Sequence, residues 1–217
     1  MMVGVTIEID AEAVVIRAEG TLRAVSSAIV GGGAIETQAI VNLHVPKTFR
    51  CQESERVLQD FARRRAIASP FVGLLTGALT ERAELVEERR GDLTACAVVT
   101  VGLSNRSAAG RSPAAVWRPS TINTIVVVDA DPDPGALINL VITATEAKTL
   151  ALAEAGVRSP EGTSVTGTST DAVVIAATGR GPRCRFGGPV SELGWLVARA
   201  VKAAMDAGVA RWVAEHP

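Results

Sequence analysis

Ile122-Asn123-Thr124-Ile125-Val126-Val127-Val128, followed by Asp133-Pro134, decides the fold. A run so rich in β-branched residues suits a strand covered on both faces. Asp133 then offers a capping side chain, Pro134 a fixed φ for the first turn of a helix, and Gly156 a residue able to close it. The plan repeats once. Ala172 to Ala177 reads as a second buried strand, and Pro189 and Ser191 open a long terminal helix with Arg199, Lys202 and Asp206 on its wet face. No residue-level repeat accompanies the two units.

Upstream, the pattern is that of strands. Val3, Val5, Ile7 and Ile9 alternate with Gly4, Thr6 and Glu8, a period of two. Val14 to Arg17 and Leu22 to Val30 continue the meander, with Asp10-Ala11-Glu12 and Glu19-Gly20 as expected turns. Ile35 to Val45 is a strand that Pro46 ends. Gln52 to Arg65 places Val57, Leu58, Phe61 and Ala62 on one helical face and Glu53, Arg56, Gln59 and Arg63 on the other. Phe71 to Leu79 and Leu93 to Leu103 are strands separated by the charged segment Glu81 to Asp92. The fold class expected is α+β: a layered α/β domain with a strand-rich N-terminal half and two strand–helix units in the C-terminal half. No linker divides the chain, so residues 1–217 are expected to form a single domain.

Composition narrows the functional classes. A net charge of −1 argues against a nucleic-acid partner held by phosphate contacts, and 3% aromatics leave no base-stacking platform. Three cysteines, Cys51, Cys96 and Cys184, form no C-x-x-C pair and fit reduced thiols. No apolar run reaches the ~18 residues of a membrane span, and Met1-Met2-Val3-Gly4 lacks a basic leader. The expectation is a cytoplasmic protein with no membrane partner, and a homodimer is left open.

Familiar cofactor motifs are missing. Gly31-Gly32-Gly33 is not followed by Gly-Lys-Ser/Thr, Gly179-Arg180-Gly181 lacks a third glycine, and Gly102-Leu103-Ser104-Asn105-Arg106 does not complete a nucleophile elbow. With His44 and His216 the only histidines, no metal site is expected. His44 reads as a strand-end residue; a Ser-His-Asp hydrolase would have to rest on it.

The polar residues that remain cluster. In the helix from Pro134 to Ala155, Leu137, Ile138, Leu140, Val141 and Ile142 help to surround the axis almost completely, as in an interior helix, leaving Asn139, Thr143 and Glu146 as a narrow polar stripe. Lys148 lies on another side. It either snorkels to solvent or sits desolvated against a carboxylate, for which Asp171 is the candidate. The pair is expected to be solvated rather than buried. Thr163 to Asp171 carries six hydroxyl residues before a strand, either a self-capping turn or a cluster that binds a polar ligand. Asn105 and Asn123 face the same choice.

Ser26-Ser27-Ala28 with Gly31-Gly32-Gly33, Asn42, Thr76-Gly77-Ala78, Val99 to Asn105, Thr121-Ile122-Asn123, Thr145-Glu146-Ala147-Lys148-Thr149 and Thr166-Gly167-Thr168-Ser169-Thr170-Asp171 together resemble the adenosylcobinamide amidohydrolase family. The blocks run from about residue 25 to the terminal helix. The chain departs from the family pattern at Ser120 and Ser169, where glycine is usual. The resemblance implies hydrolysis of the amide that joins a corrinoid side chain to aminopropanol, giving adenosylcobyric acid for cobalamin synthesis. The corrinoid is then a small-molecule substrate, and no cofactor is required.

Amide hydrolysis needs an attacking oxygen, a base, an acid for the leaving amine and donors for the oxyanion. Glu146 or Asp171 could activate water, Lys148 could polarise or protonate, and Asn105, Asn123 or Thr168 could stabilise the oxyanion. A threonine nucleophile activated by Lys148 is the competing mechanism. Ser26, Ser27, Gly31, Gly32, Thr76, Thr100, Thr121 and Thr166 are the expected substrate contacts, with the catalytic groups meeting in one cleft and the glycines at its rim. The alternative is a corrinoid- or metabolite-binding protein without activity on the same scaffold.

Overall fold

Alternating apolar residues at the N-terminus form β1 (Val5–Ile9) and β2 (Ala13–Ser26), an antiparallel pair joined by a turn that Asp10 caps. β2 does not break at Glu19-Gly20. The expected turn is instead an irregularity inside one long strand, where the register against β3 (Gly33–His44) shifts between Arg17 and Leu22. The shift lets β2 pair with β1 along its first half and with a distant strand along its second. Next come α1 (Ser54–Arg64) and β4 (Val72–Thr76), which runs parallel to β3.

The charged segment expected to be a separator is itself a strand, β5 (Glu84–Arg90), antiparallel to β6 (Leu93–Val101) at the edge of the sheet. Charges mark edge strands because a solvated edge must not recruit another chain. Here Glu84 and Glu88 also hold α3 (Glu192–Glu215) through Arg211 and Arg199. Between β6 and α3 lie β7 (Arg106–Ser107), β8 (Ile122–Asp129), β9 (Asp131–Pro132), α2 (Pro134–Glu154), β10 (Gly167–Thr168), β11 (Ala172–Ala177) and β12 (Arg183–Cys184). The structure, a computed structural model, describes residues 2–114 and 121–216. Ser120 falls outside them.

β8 and β11 are parallel neighbours joined through α2, and the strand order is β4-β3-β2-β11-β8-β6-β5. The sheet folds over on itself. One apolar cluster joins Ile16, Leu22, Ile40 and Leu74 to Val98, Ile125, Val127 and Val174 from the opposite half. A second packs Val99, Val126, Val128 and Ile175 against Leu140, Ala144, Leu196 and Val201 of α2 and α3; a third packs Leu58 and Phe61 of α1 on Val15 and Val41. The result is four layers: α2 and α3, two sheet halves, α1. This is the layered α+β class expected.

Two local readings need correction. Asp133 makes no side-chain cap; its carboxylate turns to the Arg183 guanidinium at 2.9 Å, leaving Pro134 to open the helix. α2 is also less interior than its composition implies, because Ile138, Ile142 and Leu150 are 57%, 50% and 49% exposed on its outer face. By length and composition α2 could cross a membrane, yet half of that span is buried against the sheet and α3. At α3, Ser191 caps as expected, accepting from Gly194 N–H at 3.2 Å, a contact typically worth about 1 kcal/mol.

Candidate active site

One end of the folded sheet gathers the starts of β8 and β11 and the ends of β2, β4 and β6. The parallel pairing of β8 with β11 sets Asn123 beside Ala172, so the loops before them, at Thr121 and Thr166 to Asp171, meet at this end. A cavity of about 230 Å³ opens there, lined in part by Ser27, Thr76, Thr121, Asn123, Thr170 and Asp171.

Asp171 is the hub of its wall. Its Oδ1 accepts from Ile122 N–H at 3.1 Å, from Thr168 N–H at 3.1 Å and from the Thr168 hydroxyl at 2.5 Å. Its Oδ2 accepts from Lys148 Nζ at 2.5 Å. The expected partnership is therefore present, but the pair is buried rather than solvated: only 8% and 12% of the two side chains is exposed. The cause is Lys148's position on the α2 face that meets the sheet, where the ammonium can reach only across to the start of β11. Gly167 closes the arrangement. A Cβ there would lie 2.7 Å from Lys148 Nζ and on top of Asp171 Oδ2.

A second network crosses between the sheet halves. Asn123, 2% exposed, donates from Nδ2 to Asn42 Oδ1 at 2.7 Å and to Leu75 O at 2.9 Å. Asn42 donates in turn to Thr100 Oγ1 at 3.0 Å. Both N–H bonds of Asn123 are thus committed, which removes the oxyanion-donor role read from the sequence: an amide nitrogen has two hydrogens and both have carbonyl acceptors. Asn42 and the Leu75 carbonyl were not among the expected site groups. The sequence signal for Asn42 is its place inside the apolar run from Ala39 to Leu43, since a polar side chain at a core position must be partnered.

The other expected residues take graded positions. Ser27 brackets β2 to β11, its hydroxyl accepting from Val173 N–H at 3.0 Å. Ser26 accepts from Ala28 N–H and donates to Gly31 O, shaping the loop that lines the cavity. Gly31 and Gly32 lie behind that loop, where a Cβ would stand 2.6 Å from Phe71 O and 2.7 Å from Ala28 O. Thr166 is tied to the helix through Thr149, which donates to its carbonyl at 3.2 Å, and its hydroxyl accepts from Ala109 N–H. Asn105 donates to Ser169 Oγ at 2.6 Å, so it joins the same loop. Glu146 does not join. It is exposed on α2, with no hydrogen bond or ion pair among the described residues, because two positions along a helix turn it away from Lys148.

A wider groove of about 360 Å³ adjoins the cavity at Gly77. Its wall includes His44, Lys47, Arg82 and Trp212, the last stacked on His216 at 4.3 Å between ring centroids. His44 sets its Nδ1 2.8 Å from Ala78 O, as a strand-end residue does. Among the described residues no group of three or more His, Cys, Asp or Glu side chains could hold a metal ion.

Comparison with known proteins agrees with the motif blocks. The chain is 34% identical over 204 residues to the adenosylcobinamide amidohydrolase of Methanosarcina mazei, covering 88% of this chain and 92% of that one. It is 34% identical over 145 residues to the adenosylcobinamide amidohydrolase of Halobacterium salinarum, covering 61% of this chain and 58% of that one. Among solved structures, a Burkholderia sp. beta-aminopeptidase aligns with a TM-score of 0.49 at 14% identity, over 93% of this chain and 78% of that one. The family described as adenosylcobinamide amidohydrolase matches residues 3–217, and the chain belongs to that family.

Proposed function

We propose that this amidohydrolase cleaves the amide between the corrinoid side chain and aminopropanol in adenosylcobinamide, releasing aminopropanol and adenosylcobyric acid and so returning corrinoid to cobalamin synthesis. Water adds across the C–N bond: the acyl carbon gains oxygen and the nitrogen leaves as the amine. The observation that carries the reading is the meeting of the family's Thr-Glu-Ala-Lys and Thr-Gly-Thr-Ser-Thr-Asp blocks in the Lys148–Asp171 pair, at the wall of a cavity.

The cavity volume sets the binding mode. About 230 Å³ is smaller than the ~300–1,000 Å³ of pockets that enclose whole drug-sized ligands. It takes the amide-bearing arm, while the macrocycle lies across the neighbouring groove. Oδ1 of Asp171 is filled by three donors, but among the described residues Oδ2 has Lys148 alone and keeps a lone pair for a proton from attacking water. Lys148 then supplies a proton to the departing nitrogen. A second reading is supported by the Thr168 hydroxyl, 2.5 Å from Asp171 Oδ1: the threonine oxygen attacks and its proton passes to that carboxylate.

The test is incubation of the purified chain with adenosylcobinamide and mass analysis of the corrinoid and amine products, with and without a chelator. Release of aminopropanol in both conditions is expected. A corrinoid that binds and is recovered unchanged would establish a binding protein instead.

A further inference from the structure

The floor of the cavity is an amide whose polarity is fixed from behind. The Leu75 carbonyl can only accept, so the Asn123 atom 2.9 Å from it must be nitrogen. The same nitrogen uses its other hydrogen on Asn42, which must therefore present Oδ1 to it, and the Nδ2 of Asn42 donates in turn to Thr100. The atom that Asn123 has left for a ligand is Oδ1. Within the protein its neighbour is the Thr121 hydroxyl at 3.2 Å, which has a single hydrogen and a nearer acceptor, Thr170 O at 2.7 Å. Among the described residues, Asn123 Oδ1 is therefore an acceptor whose one neighbouring hydroxyl spends its hydrogen on a nearer carbonyl, in a residue 2% exposed that lines the cavity.

A buried acceptor without a donor is unfavourable, and a ligand that supplies the hydrogen relieves that cost. We propose that Asn123 Oδ1 accepts a hydrogen bond from the N–H of the scissile amide, so that this site selects secondary amides over groups of the same shape that lack the hydrogen. The inference rests on the amidohydrolase reading above. It reverses the direction in which an asparagine at an acyl-transfer centre is usually expected to act: Asn123 reads the leaving-group side of the bond and not the carbonyl oxygen. Asn42, Thr100 and Leu75 are positioning groups, since they touch Asn123 and decide which of its ends meets the ligand. Discrimination of this kind is strong where a site is built around one donor, because the analogue leaves a buried polar atom unpaired.

The test compares the amide substrate with the corresponding ester, in which oxygen replaces N–H, in the wild-type protein and in Asn123→Ala. The readout is the ratio of kcat/KM for amide to that for ester, which removes the ester's greater intrinsic reactivity when the two proteins are compared. The ratio should fall about tenfold or more in Asn123→Ala, because only the amide loses a contact. An equal fall on both substrates would mean that Asn123 serves the carbonyl, and would overturn the proposal. If Asn123→Ala does not fold, wild-type KM values decide: the ester should bind about tenfold more weakly, and equal KM values would overturn the proposal as well. Wild-type protein that turns over neither compound would instead count against the amidohydrolase reading.

Discussion

Lys148 Nζ lies 2.5 Å from Asp171 Oδ2, with the ammonium delivered by α2 and the carboxylate by the loop that enters β11. The pair ties the helical layer to the sheet at the point where the cavity opens. Stability and chemistry are therefore coupled there.

Lys148→Ala should lose turnover and also destabilise the fold. Removing one member of a buried pair leaves an uncompensated charge, at about 3–5 kcal/mol. The three remaining donors to Asp171 place the effect toward the lower end of that range. Urea unfolding of the variant against wild type measures it, and an unchanged midpoint with unchanged rate would show that the lysine serves neither purpose.

Thr168 separates the two hydrolytic routes. If water attacks, Thr168→Ser and Thr168→Val should both retain measurable turnover, the valine form weakened because Asp171 Oδ1 has lost a donor. If the threonine attacks, Thr168→Val should fall to background while Thr168→Ser survives. Steady-state rates on one corrinoid preparation, with circular dichroism to check folding, distinguish them.

Gly167→Ala should behave like a pair-breaking substitution although it removes no functional group. The new methyl would occupy the space of the Asp171 carboxylate and crowd Lys148 Nζ, and overpacking of this kind typically costs about 1–3 kcal/mol. A lowered melting temperature with at least a hundredfold loss of rate is the expected result.

In the turn between β1 and β2, Asp10 gives a pH signature. Its carboxylate is held below the usual range chiefly by the Ala13 N–H at 2.9 Å, against the opposing effect of partial burial, with further help from Glu12 N–H and Arg65. A folded pKa below the unfolded one contributes stability that is present above the unfolded value of about 3.9 and lost as pH falls through the folded value. Asp10→Asn keeps an acceptor for both N–H groups and removes the charge. The stability advantage of wild type over this variant should shrink as pH is lowered from about 5 to 2, measured by denaturant titration at each pH. A constant difference would show that Asp10 acts through its shape alone.

What the sequence determined by itself is local and periodic. The β-branched run from Ile122 to Val128, the helix from Pro134 with Gly156 at its end, the strand from Ala172 and the Ser191 cap each follow from residues close together in the chain, and each is present. Asp171 was also legible as the partner of Lys148, because a lysine on an apolar helix needs a carboxylate, although the burial of the pair was not. Three things needed the tertiary structure. β5 was hidden because an edge strand can be charged on both faces, so its alternation is weak. The exposure of Ile138 and Ile142 depended on how much of α2 the sheet and α3 could cover. The direction of Asn123 depended on Leu75 and Asn42, which the folded-over sheet brings to it from 48 and 81 positions away. A side-chain amide has a donor end and an acceptor end of nearly the same size, and only the groups packed against it decide which one a ligand meets.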